Sequence, residues 1–235
     1  MTDLSSIIKA YDVRGTVPDQ LDARIAGALG AAFAAFTGAP RIVLARDMRE
    51  SGVELALAFA DGARGLGTDV VDAGQGSTDL LYYAAGILDV PGAMFTASHN
   101  PAQYNGIKMC LAGARPIGQD SGLADIRRLA ESYLDGQLPL GPRRGELTRL
   151  DLLGDYAAFV TGLVPGIGQI RRLKVVVDCG NGMGGLTVPV TFAGLPLEVV
   201  EMYFELDGSF PHHEANPIEP ANTADLQARV VAEGA

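Results

Sequence analysis

The residues best placed for chemistry lie between Gly92 and Leu111. Two apolar runs, Gly92–Phe95 and Gly106–Leu111, read as strands, and between them sits the polar string Thr96-Ala97-Ser98-His99-Asn100-Pro101-Ala102-Gln103-Tyr104-Asn105. Asn100-Pro101 and Asn105-Gly106 are turn dipeptides, so Ser98 is expected on a tight, displayed loop. A hydroxyl held out on a rigid base, with His99 beside it and Lys108 shortly after, is how an activated nucleophile is arranged. Ordinary hairpin loops contain the same residue types, and composition alone does not separate the two readings.

Other constellations compete for attention. Gly180-Asn181-Gly182-Met183-Gly184-Gly185 satisfies the dinucleotide fingerprint GxGxxG. It follows a strand-like run and precedes a short helix, with Glu201 about 20 residues on, where a ribose-binding acid would stand. Against it, Asp178 would set a carboxylate beside the pyrophosphate, and Pro189 interrupts the following helix. His212-His213-Glu214 could suggest a metal, but adjacent residues of an extended segment point to opposite sides, so a solvated loop is expected. Asp12, Asp47 and Asp120 read as turn and cap residues rather than an acid pair. The hydrolase elbow Gly-x-Ser-x-Gly is absent.

The bulk numbers narrow the partners. A chain of 235 residues with 48% hydrophobic content suits one or two globular domains with real cores. A net charge of −10 argues against nucleic acid and anionic membrane. An anionic ligand would need a locally basic site, for which Lys9, Arg14, Arg46, Arg49 and Lys108 are candidates. The many Ala and Gly residues read as compositional drift. Cys110 and Cys179 each end an apolar run, without CxxC spacing, and are expected to be buried thiols. The N-terminus lacks a basic-then-apolar leader and no apolar run reaches membrane-spanning length, so a cytoplasmic location is expected. Nothing in the sequence sets an oligomeric state.

Several elements must position the Ser98 loop. Leu21, Ile25, Leu29, Phe33 and Phe36 recur at helical spacing, predicting a helix over 20–36. Arg41–Ala45 and Asp69–Ala73 read as buried strands. Ser51-Gly52-Val53-Glu54 has capping-box form and opens a second helix. Ser77–Ile87 and Leu123–Leu134 read as helices. This alternation is an α/β signature. Residues 137–150 carry Gly, Pro and charge without periodicity and read as a linker between a first domain over 1–136 and a second over 151–235. In the second domain a helix is expected over 151–164, with Tyr156, Phe159, Val160 and Leu163 on one face. A strand over 173–178, a short helix near 188–193, a strand over 197–202, a loop over 205–220 and a helix over 222–232 follow.

The string Thr96-Ala97-Ser98-His99-Asn100-Pro101, with Tyr104-Asn105-Gly106 and Lys108, resembles the phosphoserine loop of the α-D-phosphohexomutases, in the phosphomannomutase/phosphoglucomutase branch. Lys9-Ala10-Tyr11-Asp12-Val13-Arg14-Gly15, Arg46-Asp47-Met48-Arg49, Val175–Gly182, Asp207–Pro211 and Ala215-Asn216-Pro217 resemble further segments of that family, in order. The resemblance implies two successive three-layer α/β/α domains with mixed sheets, the second truncated at its C-terminal end. It implies a phosphohexose mutase that interconverts hexose 1-phosphate and 6-phosphate, of mannose or glucose, through a phosphoserine and a 1,6-bisphosphate. Ser98 would carry the phosphoryl group, with Lys108, His99 and Arg14 assisting transfer. Tyr11, Arg14, Asn100 and Lys108 would contact the phosphosugar. Mg²⁺ would be held through the Ser98 phosphoryl oxygen. Nothing resembles the family's aspartate-rich metal loop, so the chain as given is expected to be an inactive half of a mutase. A non-catalytic phosphosugar-binding or phosphoacceptor module is the alternative, and an NAD-binding oxidoreductase fragment the third.

Overall fold

Buried apolar residues alternate along the strands of the first half, and that alternation builds a sheet with helices on both faces. The computed structural model describes residues 2–235. Backbone proximity divides it into two compact units: residues up to Ala97 with Gln103–Asp151, and Ser98–Ala102 with Leu152–Ala235.

The first unit contains β1 (Val13–Thr16), α1 (Ala23–Thr37), β2 (Arg41–Arg46), α2 (Ser51–Gly65), β3 (Asp69–Gln75), α3 (Thr78–Ile87), β4 (Gly92–Phe95), β5 (Tyr104–Leu111), β6 (Arg115–Pro116), α4 (Leu123–Leu134) and β7 (Leu147–Arg149). Its mixed sheet runs β1-β5-β4-β2-β3-β7, with β6 on β5. β1 and β4 lie antiparallel to β5, and β2, β3, β4 and β7 are mutually parallel. Ile42, Leu44, Ala93, Phe95, Ile107 and Met109 join α1, α2 and α4 in one core. The alternate residues Val43, Ala45, Met94 and Cys110 are equally buried on the other face. There a Cβ added at Gly92 would meet Leu81 of α3, Val43 and Cys110. Phe33, Phe59 and Phe95 pack in series, tilted and then edge-to-face, with centroids 5.8 and 5.5 Å apart. Each fully buried ring stabilises the unit by about 1.5–3 kcal/mol.

Two of the glycines are required by packing. A Cβ at Gly30 would come within 2.0 Å of the Phe59 carbonyl, and one at Gly62 within 1.9 Å of the Gly27 carbonyl. α1 and α2 therefore cross at a distance that only glycine permits.

Three expectations change in this unit. Glu50, not Ser51, is the residue before α2, and it makes no side-chain cap. The Ser51 hydroxyl instead accepts from Asn105 Nδ2 at 2.9 Å. β1 was not legible as a strand, because its four residues include Arg14 and Gly15. The supposed linker over 137–150 returns to the first unit. Gly141 and Gly145 N–H donate to the carbonyls of Gly65 and Arg64, and β7 pairs in parallel with β3. Its three residues are all exposed, so no apolar period marked them.

The second unit contains α5 (Leu153–Gly162), β8 (Leu173–Asp178), α6 (Gly184–Thr191), β9 (Leu197–Met202) and α7 (Ala224–Glu233). Its sheet is two parallel strands, β8 and β9. Every residue of β8 is partly exposed. On α5, Phe159 and Leu163 are 48% and 62% exposed, while Tyr156 and Val160 are partly buried. α6 begins in the glycine run, four residues before the expected start, and this places Pro189 inside the helix rather than in its first turn.

Candidate functional site

Sheet register brings three charged residues onto one face of the first unit. In the β1–β5 ladder Val13 opposes Ile107 and Arg14 opposes Gly106. Val13 and Ile107 point into the core, so Arg14 and Lys108 share the opposite face as diagonal neighbours. The same antiparallel register, carried back one residue, sets Asp12 across from Lys108. Asp12 Oδ2 lies 2.5 Å from Arg14 Nη2 and 3.3 Å from Lys108 Nζ. The carboxylate is 9% exposed, against 18% for Arg14 and 27% for Lys108. Asp12 lies in the bend before β1, as a turn residue would, and its carboxylate also joins two cations. Gly106 makes the close pairing possible, since a Cβ there would stand 2.3 Å from the Val13 carbonyl.

Lys108 also opposes Met94 on β4, so it belongs to the hairpin whose tip carries Ser98. It lines a cavity of about 430 Å³ with Tyr11, Tyr82, Gln119, Asp120 and Ser121. Tyr11 is 78% exposed, as a cleft wall requires and core packing does not. Of the expected site residues, the first unit brings together Tyr11, Arg14 and Lys108.

The stems of the Ser98 loop are braced by the segment after β2. The Thr96 N–H donates to the Gly106 carbonyl at 3.0 Å and closes the base. Arg49 Nη1 donates to the Tyr104 carbonyl at 2.9 Å, and its Nε lies 3.3 Å from Asp47 Oδ2. Burial raises the Asp47 carboxyl above its usual range, opposed by hydrogen bonds from the Thr96 hydroxyl and the Arg49 N–H and by the Arg49 charge. Burial lowers the Arg49 guanidinium, opposed by Asp47 and assisted by the Arg14 charge. Arg49 is 1% exposed. It is a buried brace rather than a surface cation for a ligand, which corrects the expectation drawn from its charge. Lys9, exposed, donates to the Ser6 carbonyl.

Ser98, His99 and Asn100 belong by proximity to the second unit's residues. Ser98 has φ 54°, left-handed backbone that a non-glycine residue adopts at a cost on the order of 1 kcal/mol. Its Oγ lies 3.3 Å from His99 Nδ1. Ser98 and His99 are exposed and Asn100 partly so. A strained, displayed hydroxyl with an imidazole at contact distance can accept and release a phosphoryl group.

The glycine loop of the second unit uses its polar groups internally. Asp178 Oδ1 accepts from the Gly180 N–H at 2.8 Å, and both carboxylate oxygens lie within 3.2 Å of His213 Nε2. Asn181, 1% exposed, donates to the Glu205 carbonyl at 3.0 Å, and its Oδ1 lies 2.8 Å from His212 Nδ1. The His212 ring stacks on Tyr203 at 4.0 Å. The histidines lie in a largely exposed loop, as expected, yet each is also held by a side chain of the glycine loop, and the first N–H a pyrophosphate would use is taken. Among the described residues, no three His, Cys, Asp or Glu side chains group as a metal site would require. The donors present among the described residues do not fit a complete Mg²⁺ site. Among the described residues no helix is long and apolar enough to cross a membrane.

The chain is similar to known proteins over nearly its whole length. The family model for phosphoglucomutase/phosphomannomutase alpha/beta/alpha domain I matches residues 5–135, and that for domain II matches residues 156–235. A phosphomannomutase of Escherichia coli is 39% identical over 96% of this chain and 51% of its own length. A phosphomannomutase/phosphoglucomutase of Pseudomonas aeruginosa is 37% identical over 98% of this chain and 49% of its own. The crystal structure of a phosphoglucomutase/phosphomannomutase family protein from Burkholderia thailandensis superposes with a TM-score of 0.87 at 38% identity, covering 99% of this chain and 51% of that one. The chain spans about half the length of the curated relatives it matches. With its two α/β units each matched by the corresponding domain model, the chain belongs to the phosphoglucomutase/phosphomannomutase family.

Proposed function

We propose that this chain supplies the phosphoserine half of a phosphohexose mutase acting on mannose or glucose phosphates. Ser98 carries the phosphoryl group at rest. The sugar hydroxyl attacks phosphorus, the Ser98 Oγ–P bond breaks as the sugar O–P bond forms, the hydroxyl proton passes to a neighbouring base, and the departing Ser98 Oγ takes up a proton. The resulting 1,6-bisphosphate turns over and returns its other phosphoryl group to Ser98. Charge develops on the moving phosphoryl oxygens, so fixed cations are what lower the barrier. Lys108, compact and strongly hydrated, suits those oxygens or the sugar hydroxyl; Arg14 suits a two-pronged grip on phosphate. His99 and Asn100 offer hydrogen bonds around the serine, and Tyr11 walls the sugar. A Mg²⁺ requirement is part of the same proposal, with the Ser98 phosphoryl oxygen as this chain's ligand. So is a cytoplasmic setting, where phosphosugars are found.

The supporting observation is the exposed, left-handed Ser98 at the tip of the hairpin that also holds Lys108. The test is a coupled assay with mannose 1-phosphate and glucose 1-phosphate. It compares this chain with a hybrid that joins it to the second half of the Pseudomonas aeruginosa relative. Turnover is expected in the hybrid and not in the 235-residue chain, because the chain spans only half of the relatives' length. A well-folded hybrid without turnover would contradict the mutase reading and favour a phosphoacceptor module. Turnover by the chain alone would contradict its expected inactivity.

A further inference from the structure

The mutase reading assigns work to Arg14 and Lys108 but none to the carboxylate between them. Like charges on adjacent strands repel, and two long side chains lose rotamer freedom when held together. Asp12 counters both effects. One oxygen, Oδ2, faces both cations, at 2.5 and 3.3 Å, from a side chain that is 9% exposed. The backbone fixes this geometry: Asp12 directly precedes β1, opposite Lys108, and Lys108 is itself locked between β1 and β4. Charge-assisted hydrogen bonds of this kind orient a guanidinium and an ammonium more narrowly than solvent does.

We propose that Asp12 is a positioning residue of the phosphoryl-transfer site. It holds Arg14 and Lys108 as one pre-set pair at the expense of ground-state anion affinity. The proposal rests on the mutase reading for the identity of the ligand. Its physical content is a trade: the carboxylate repels any phosphate that approaches the pair, yet fixes the pair where charge on a transferring phosphoryl group develops. Removing only the charge should therefore tighten resting phosphate and slow transfer. Loss of structure would weaken both.

Two measurements test this. In the first, inorganic phosphate is titrated into the 235-residue chain by calorimetry, with Asp12→Asn, Lys108→Ala and the double variant compared at matched melting temperature. Asp12→Asn is expected to bind phosphate roughly three- to tenfold tighter, since one nearby partly screened charge is removed. The double variant loses most of that gain, because the carboxylate acts through Lys108 and Arg14. Unchanged or weaker binding in a folded Asp12→Asn variant overturns the proposal. In the second, the active hybrid carries Asp12→Asn or Asp12→Glu. The Asn variant is expected to lose at least tenfold in kcat with KM unchanged or lower, and Glu, which keeps the charge, to recover part of kcat. A rise in KM with kcat unchanged overturns the positioning role. If the parent hybrid turns nothing over, the mutase reading fails, while the phosphate titration still decides whether Asp12 governs the pair. If Asp12→Asn does not fold, the Glu variant supplies the titration: phosphate affinity within twofold of the parent supports the charge argument, and a large gain overturns it.

Discussion

Two loops in this chain leave a parallel strand and pass through left-handed backbone, yet they do opposite things with their polar groups. The loop after β4 places Ser98 at φ 54° and leaves Ser98 and His99 exposed. The loop after β8 places Gly180 and Asn181 at φ 49° and 59° and commits nearly every polar atom to Asp178, His212, His213 or Glu205. The backbone device is shared. What separates the two loops is exposure: Ser98 and His99 lie at the surface, whereas Asn181 is buried. The glycine fingerprint turns its Gly180 N–H and its Asn181 side chain inward, to Asp178, Glu205 and His212. The serine loop presents its hydroxyl and the His99 ring outward.

Substitutions can break that contrast. The largest effect is expected at Ser98. In the hybrid, Ser98→Gly should abolish turnover while leaving stability unchanged or raised by up to about 1 kcal/mol, because glycine adopts that backbone without strain. Activity assays and denaturant melts read the two arms separately. Next, Lys108→Ala should lower kcat by about 10²–10³-fold, the usual cost of losing a charge-stabilising contact, with a small change in melting temperature. Unchanged turnover would remove Lys108 from the mechanism.

The scaffold loop should respond the other way. Asn181→Ala leaves the Glu205 carbonyl and His212 without their buried partner, so a loss of about 1–3 kcal/mol in the second unit's stability is expected. Phosphate affinity of the first unit should not change. A fall in that affinity with stability intact would mean that the two loops are not divided as described.

The smallest effect is in pH. Burial lowers the affinity of His213 for a proton, but the Glu214 carbonyl and the Asp178 carboxylate outweigh it, and its pKa lies above the ordinary histidine value. A raised histidine stabilises the fold below its ordinary pKa and loses that contribution as pH rises through the folded value. Denaturant midpoints should therefore be higher near about pH 6 than near about pH 8, with His213→Gln flattening the difference. The thiols offer no handle on either loop. Burial pushes Cys110 up to about 11 and Cys179 to about 12. Both should label slowly with a thiol reagent near neutral pH unless the chain is unfolded.

The sequence carried the α/β order and the Ser98 loop because both rest on local signals: apolar period, turn dipeptides and a long ordered string. It did not carry β1 or β7, whose residues are short, charged or exposed, and whose strand character comes only from a partner distant in sequence. The ion pairs of Asp12 were missed for the same reason. A turn reading fits its neighbours along the chain, and only the register with β5 sets it against Lys108. The i, i+2 spacing of Asp12 and Arg14 was the available clue, since it puts both on one face of any strand there. Arg49 looked like a ligand-binding cation because charge is visible in a sequence and burial is not. On α5 the helix formed as expected, with Tyr156 and Val160 partly buried and Phe159 and Leu163 more exposed.

The account turns on Ser98 as the phosphoryl carrier. Peptide mass spectrometry of the hybrid after incubation with glucose 1,6-bisphosphate tests that most directly. The prediction is one added phosphate, confined to the peptide containing Ser98 and absent from the Ser98→Gly variant. Phosphate on any other residue with Ser98 unmodified, or an active hybrid whose Ser98 never carries label, would contradict it.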